Sequence, residues 1–472
     1  MLARVRLPGG LVDAAQLRVL ARLADELGDG RIELTSRGNV QLRGLAADAA
    51  SPLTSELVQA GLLPSLSHDQ VRNVLASPLA GLDRGTDLTG IVRALDAALC
   101  ARPRLAELSG RFLFAIDDGR GDVAGLGADV VATVRPDGAI VNGLAVCPGS
   151  RARNAAGARP GTAGAGTASP GPAGPVSQVT GSQGVGTYGL DANQGIPDDR
   201  RDRLVAAMLA FAEAFLDQRA ELGSAAWRIS DLPGGAERVR DAVSARLGLD
   251  ARPGPQPWAG NATRPGPVPV RQAGNPAVAE TDLTGRPGEG GLTRAAATPV
   301  TGGGQARDAL AEIAGRPVGF VTSGKTGDGG EPAGSVRATS GCSVVLVAPL
   351  GRLTSAQVRW VADRLAGREA RITPWRSVVL PDLEDAAGVL RAAAGLGFGT
   401  DEGSPWLRVT ACAGRPGCAS ALADVQADAA GFAARWPGRI VHVSGCGRHC
   451  GRPAATEIDV TATSEGYQVA GV

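Results

Sequence analysis

Four of the seven cysteines fall within 39 residues near the C-terminal end, Cys412 and Cys418 in TACAGRPGCASAL and Cys446 and Cys450 in SGCGRHCGRP. Their spacings are C-x5-C and C-x3-C. Each pair follows an apolar-alternating stretch, WLRVT or RIVHVS, and the intervening ASALADVQADAAGFAARW is rich in helix formers. The pattern predicts strand, loop, helix, strand, loop, with both pairs at the same end of neighbouring strands. Thiolates gathered on such loops, near backbone N–H groups, are a natural site for an iron–sulfur cube. Structural zinc is the competing assignment, although zinc favours pairs separated by two to four residues and the first gap here is five. Four unrelated buried cysteines are a third possibility, which the clustering opposes.

Bulk composition narrows the context. The 472 residues are 43% apolar, enough for several domains with real cores. A formal net charge of +1 gives no excess for a polyanion and no acidic tail, so nucleic acid is not an expected partner. The 48 basic residues include a single lysine, Lys325, so nearly every cationic contact is a guanidinium fork. MLARVRLPGG has no apolar export region, and no run approaches 18 apolar residues. The expectation is a cytoplasmic protein without a membrane span, with cysteines that serve metal or redox chemistry rather than disulfides.

The elements that must position the cysteines are interrupted by two low-complexity tracts. Residues 151–190 and about 253–304 are dominated by glycine, proline and small residues and are expected to be linkers or loop insertions. Between them 198–222 has helical spacing with aspartates at its start, and VVATVRPDGAIVNGL at 130–144 predicts two strands joined by a Pro-Asp-Gly turn.

The chain also repeats itself. Residues 7–42 can be laid on 348–380 so that Gln16 meets Gln357 and Arg18 meets Arg359; after a two-residue shortening, Arg37 meets Arg376. Each copy predicts a strand, a turn, an amphipathic helix with Asp13 or Ser355 as N-cap, a second strand and an arginine-bearing turn. Two copies this far apart suggest halves paired about a pseudo-two-fold, with Arg37 and Arg376 facing a shared cavity.

These residues bring a resemblance into view. The C-x5-C…C-x3-C arrangement resembles the [4Fe-4S] motif of the sulfite and nitrite reductase superfamily, IELTSRGNVQLRGL resembles its arginine turn, and DQVRNVLASPLAGLD at 69–83 resembles its macrocycle-facing Arg-Asn segment. The resemblance implies an α+β fold of duplicated ferredoxin-like half-domains plus α/β domains, one carrying a [4Fe-4S] cluster on Cys412, Cys418, Cys446 and Cys450. The implied organisation is a first half-repeat at 1–84, an α/β domain at 85–150 and 198–250, linkers at 151–197 and 251–305, a second half-repeat at 306–400 and the cluster domain at 401–472.

Within the superfamily, the siroheme-dependent reductases carry two lysines in a KFK-like strand that bind and protonate the small oxyanion. The corresponding GRFLFAIDD at 110–118 has Arg111 and Leu113 there, and leucine donates no proton. Conversely, ACAGRPGCASALADVQADA, ARITPWRSVVLPDL and VHVSGC resemble precorrin-3B synthases of cobalamin biosynthesis. That resemblance implies a monooxygenase that hydroxylates precorrin-3A with γ-lactone closure. It implies O2, an external donor (a ferredoxin or an NAD(P)H-dependent reductase), the cluster and, in some members, a mononuclear non-haem iron; siroheme belongs only to the alternative, a sulfite or nitrite reductase. A substrate of this kind bears many carboxylates. Arg37, Arg43, Arg72, Arg111 and Arg376 are candidate forks for them, with Asn39 and Asn73 as neutral donors. Trp375 is a candidate stacking residue, and His68, His442 and His449 are the only histidines available to an iron.

GVGTYG at 184–189 satisfies a dinucleotide pattern but sits in a low-complexity tract, without the strand and helix such a fingerprint needs. Cys100, Cys147 and Cys342 have no metal spacing and are expected to be buried hydrophobes. Cys418→Ser is expected to abolish iron–sulfur absorbance, whereas deletion of 155–185 leaves it intact; loss of absorbance on deletion would mean that the tract is not a linker.

Overall fold

The computed structural model describes residues 1–83, 86–135, 138–142, 144–147, 198–248, 319–321, 342–453 and 455–471. The expected linkers, the GVGTYG match, Lys325 and the side chain of Cys147 lie outside the described residues. Among the described residues, no helix is long and apolar enough to cross a membrane.

The half-repeats exchange strands. Leu2–Val5, Val40–Arg43 and Arg31–Leu34 form an antiparallel sheet whose fourth strand, Arg352–Thr354, belongs to the second repeat. In return Leu11–Asp13 pairs with Glu369–Ile372 at the edge of the second sheet, which continues through Ser377–Leu383, Cys342–Val347 and Gly319–Val321. Each half thus pairs an edge the other would leave open. Helices Ala14–Leu27 and Ser355–Ala362 pack together over one core containing Leu17, Leu20, Ile32, Val358, Val361 and Ile372.

The matched polar residues do matched work. Gln16 Nε2 donates to Ala60 O (3.2 Å) and Gln357 Nε2 to Leu396 O (2.8 Å), closing the next helix of each repeat. Arg18 reaches Asp363 (2.8 Å) and Arg359 reaches Asp25 (2.5 Å) across the pseudo-two-fold. Asp13 N-caps the first helix in a capping box with Gln16. In the second repeat the cap is Thr354, boxed with Gln357, rather than the expected Ser355; Ser355 is the first helical residue and its hydroxyl donates to Asp25 and to Gly30 O.

The arginine turns correct the expected alignment. Thr35 N donates to Asn39 O and Gly38 N to Thr35 O, just as Thr373 N donates to Ser377 O and Arg376 N to Thr373 O. Superposed on these bonds, Arg37 lies opposite Trp375, and Arg376 lies opposite Gly38. Both Gly38 (φ 63°) and Arg376 (φ 59°) are left-handed, so the second repeat places an arginine where the turn favours glycine.

The α/β domain has parallel strands Val74–Ala76, Phe114–Asp117 and Val130–Arg135, then antiparallel Gly138–Val141 and Leu144–Cys147. Helices Thr89–Cys100, Asp198–Glu221 and Gly235–Leu247 contribute to a large core with Phe112, Phe114, Phe211 and Phe215. Leu75, Leu113, Ala115 and Val123 form a separate apolar cluster. Because Val74–Ala76 belongs to this sheet, the domain begins before the expected boundary at 84.

The last sheet has parallel Val409–Ala411, Val441–Ser444 and Ile458–Thr463, then antiparallel Gly466–Gly471. Asp424 caps the crossing helix Val425–Arg435, whose Val425, Ala429 and Ala433 join Val409, Val441, Val443 and Val460 in a core. The predicted strand–loop–helix–strand–loop order is therefore present, with the connection needed between parallel neighbours.

At the end of the Phe114–Asp117 strand, Asp117 accepts four backbone N–H groups, from Gly119, Gly121, Val123 and Ala124. Beside it, Asp122 accepts from Ser77 Oγ at 2.6 Å. Burial pushes Asp122 up to about 7; Asp117 and Asp118 add to the rise, while Ser77 and Arg120 oppose it. A carboxyl raised in the fold stabilises it below its ordinary 3.8 and loses that contribution as pH climbs through about 7. Denaturant unfolding of Asp122→Asn, whose amide oxygen still accepts from Ser77, is expected to show a shallower loss of stability between mildly acidic and mildly alkaline pH. An unchanged slope would assign the loss to other groups.

Candidate functional site

Cys412 immediately follows Ala411, and Cys446 lies two residues beyond Ser444, on adjacent parallel strands with Ala411 opposite Val443. Cys412 N donates to Val443 O (3.0 Å), extending the ladder, and Gly445 N donates to Cys412 Sγ (3.1 Å). A side chain at Gly445 would strike Ala421 (2.7 Å), so glycine lets the two loops come together here. Cys418 N donates to Gly414 O (2.8 Å) in the first loop, and Leu422 N donates to Gly445 O (2.7 Å), tying the two loops together. Cys412, Cys418, Cys446 and Cys450 are all free thiols, the first three half-buried and Cys450 exposed. Four thiols on two loops tied together, one sulfur already accepting a backbone N–H, are the donor chemistry an iron–sulfur cluster takes.

Buried polar groups line the adjoining sheet. Thr410, His442 and Asp459 are cross-strand neighbours. His442 is fully buried; Nδ1 lies 2.8 Å from Thr410 Oγ1 and Nε2 has no partner. Burial pushes His442 down to about 4, against Asp459, with His449, Arg452 and Arg376 adding to the fall. His449, at φ 47°, places Nδ1 3.0 Å from Asp459 Oδ2, off the line of a hydrogen bond. His68 uses both ring nitrogens, on Ser65, Ser67 and Arg102 O. Among the described residues, no pair of histidines with a carboxylate comes within ligand distance; the one ligand-type group is Asp117, Asp118 and Asp122. The residues present therefore do not fit a preformed mononuclear non-haem iron.

The candidate substrate residues separate into two groups. Arg72, 3% exposed, donates to Asp96 through Nε (2.7 Å) and Nη2 (2.8 Å), and to Leu62 O. Asn73 donates to the Gln70, Gly110 and Phe112 carbonyls, while Asn39 accepts from Leu7 N. Arg43 is committed to Glu33 (2.6 Å). These four hold the framework: the fork of Arg72 and the amides of Asn39 and Asn73 are engaged, and Arg43 is tied to Glu33 through Nε.

Arg37, Arg111 and Arg376 differ. Arg37 donates only to carbonyls, Gly110 O (2.9 Å) and Arg111 O (3.3 Å). It is held below the usual guanidinium value by burial and then by Arg228, Arg4 and Arg111, with Asp129 opposing. Arg111 lays its guanidinium on Trp227. Arg376 passes over Gly351, where any Cβ would lie 2.5 Å from its Cδ, and its charge reaches His442. The structure thus brings Arg37 to the Arg111 segment, while Arg376 lies beside the cysteine sheet. Trp375 is half-buried.

One residue escaped the sequence. Arg6 is 6% exposed, and its Nε and Nη1 have no partner. Burial, helped by Arg4, Arg37 and Arg72 and opposed by Asp69, pushes it down to about 10. An unpaired buried cation destabilises a fold unless an anion meets it. Its only available signal was LARVR, where Arg6 follows the buried Val5 at the strand end.

Residues 1–60 match the nitrite/sulfite reductase ferredoxin-like half domain. A ferredoxin–nitrite reductase from Leptolyngbya laminosa is 35% identical over 121 residues, 24% of each chain. A precorrin-3B synthase from Sinorhizobium sp is 34% identical over 137 residues, 29% of this chain and 28% of that protein. A ferredoxin-dependent sulfite reductase from Mycobacterium tuberculosis H37Rv is 32% identical over 124 residues, 26% and 22%. The chain spans about a quarter of the length of these relatives. The solved Mycobacterium tuberculosis NirA protein superposes with TM-score 0.56 at 17% identity, over 99% of this chain and 73% of that one. The fold is that of the nitrite and sulfite reductases, and the matched relatives are oxidoreductases.

The buried arginines separate by test. Arg72→Ala is expected to cost about 3–5 kcal/mol in denaturant unfolding, because Asp96 is left unpaired. Arg6→Leu should leave unfolding unchanged or raise its midpoint. A large loss at Arg6 would show that a partner within the chain neutralises it.

Proposed function

We propose that the protein is a precorrin-3B synthase, hydroxylating precorrin-3A with γ-lactone closure at the expense of O2. The observation that carries this reading is Leu113. It is 4% exposed, packed with Leu75, Ala115 and Val123 at the position where the resemblance puts a proton-donating lysine in the reductases. Its neighbour Arg111 is turned onto Trp227. Reduction of a small oxyanion needs several positioned proton donors, and this segment offers a buried leucine and a guanidinium stacked on an indole.

Arg37, Arg111 and Arg376 grip substrate carboxylates, and Arg6 supplies the buried positive charge behind them. Arg72, Asn39, Asn73 and Arg43 hold those groups in place. Insertion of one oxygen atom, with the other released as water, requires two electrons and two protons from outside the substrate. A [4Fe-4S] cluster on Cys412, Cys418, Cys446 and Cys450 supplies electrons singly when bound, and a ferredoxin or NAD(P)H-dependent reductase is the donor. The exposed Cys450 marks the side of the cysteine loops open to that donor.

The ferredoxin–nitrite reductase similarity, 35% over 121 residues, favours a siroheme-dependent reductase as the second reading. Anaerobic purification, metal analysis and acid–acetone extraction separate the two. About four irons per chain with no extractable tetrapyrrole is the expected result. Extractable siroheme would make the protein a reductase, and zinc in place of iron would overturn both readings.

A further inference from the structure

Asp129 fastens the segment 227–231 to Leu113, the residue before the strand Phe114–Asp117. Its carboxylate accepts from Leu113 N (3.0 Å) and Ile229 N (2.9 Å), and it takes the fork of Arg228 through Nε and Nη2 (3.1 Å each). Arg228 also donates to Gly127 O. Asp231 accepts from the backbone N–H of Trp227 (3.2 Å) and Arg228 (3.1 Å). Trp227 is therefore carried on a pinned turn, and yet its side chain remains exposed, at 48%.

An exposed indole on a rigid turn is unusual enough to ask what meets it. One face is taken: the Arg111 guanidinium carbon lies 4.3 Å from the ring centroid. The Arg111 carbonyl in turn accepts from Arg37. Arg4, Arg111 and Arg228 all press their charge on Arg37, opposed by Asp129, whose oxygens are already engaged by Arg228 and two backbone amides. The cluster has an excess of positive charge with a flat apolar surface at its edge. That combination matches a conjugated, planar polycarboxylate, with the ring stacked and the carboxylates forked.

We propose that Trp227 is a substrate-positioning residue: its free face stacks on the tetrapyrrole plane while Arg111 backs the indole and, with Arg37, holds peripheral carboxylates. The inference rests on the tetrapyrrole-substrate reading above. It also assigns a second role to the Arg111–Leu113 segment, because the group backing Trp227 occupies one of the positions at which the resemblance places a reductase lysine.

The test is equilibrium binding of uroporphyrin, an octacarboxylate porphyrin, to the anaerobically purified full-length holoprotein, followed by the Soret band and by quenching of tryptophan emission. Trp227→Ala is expected to weaken binding about tenfold and Trp227→Phe much less, since stacking needs a ring rather than an indole N–H. Trp227→Ala and Arg111→Gln should be non-additive, as expected for a stacked pair. Wild-type affinity in Trp227→Ala, with weakened binding in Arg37→Gln, would overturn the role of Trp227 and leave the tetrapyrrole site standing. Failure of the wild-type protein to bind the porphyrin, or an unaffected Arg37→Gln, would overturn the site itself.

Discussion

The exchange of two short strands is the constraint on which the rest of the molecule depends. Arg352–Thr354 completes the sheet of the first repeat, and Leu11–Asp13 completes that of the second. Each exchanged strand leads directly into the helix that packs against its counterpart, so the backbone pairing and the shared core fix one another. Glycine makes the crossing possible: a Cβ at Gly10 would lie 2.0 Å from Ile372 O. Once the halves are locked, the turns at Thr35–Asn39 and Thr373–Ser377 have fixed places, and so do the arginines they carry.

Those turns meet different surroundings. The first abuts the α/β domain, where Arg37 donates to Gly110 O and Arg111 O. The second reaches the cysteine sheet, where Leu350 packs against its core and the charge of Arg376 reaches His442. A duplicated motif has become two chemically distinct contacts, one with an arginine cluster and one with the domain of the four thiols. Guanidinium serves both because it keeps its charge when partly buried, whereas an ammonium loses its proton more readily there.

Much of this was legible in the sequence because it rests on local periodicity and spacing. The cysteine pairs, the amphipathic helices and the Gln16/Gln357 and Arg18/Arg359 matches are short-range patterns. Residues whose role is set by a distant partner were not legible. Arg72 was a plausible ligand until Asp96, a residue of the next helix, was seen to fill its fork. Asn39 and Asn73 sit in the same matched motifs, yet their amides satisfy backbone groups. The Arg37–Arg376 match failed because two left-handed turns look alike only once φ is known, and Arg376 occupies the glycine's place. Arg6 was missed because its burial comes from packing around the strand end, where Arg4, Arg37 and Arg72 are near, rather than from the strand itself.

The separation of spent from unspent cations also explains how a basic site can exist in a nearly neutral chain. Arg72, Arg43 and Arg228 each have a carboxylate, so their charge is balanced and their effect is on shape. Arg6 is buried and Arg37 half-buried without such a partner among the described residues, so their charge stays uncompensated within the fold. The cost of holding them is borne by the paired framework behind: Asp96 fixes Arg72, Asn73 ties the Gly110 turn to the sheet, and that turn receives Arg37. Net charge over the whole chain therefore says little about this site. What matters is which guanidinium groups the fold has left without an acid; among the described residues at the junction of the first half-repeat with the α/β domain, Arg6 and Arg37 are such groups, as is Arg4, which donates to Gln41, with Arg111 stacked on Trp227 beside them.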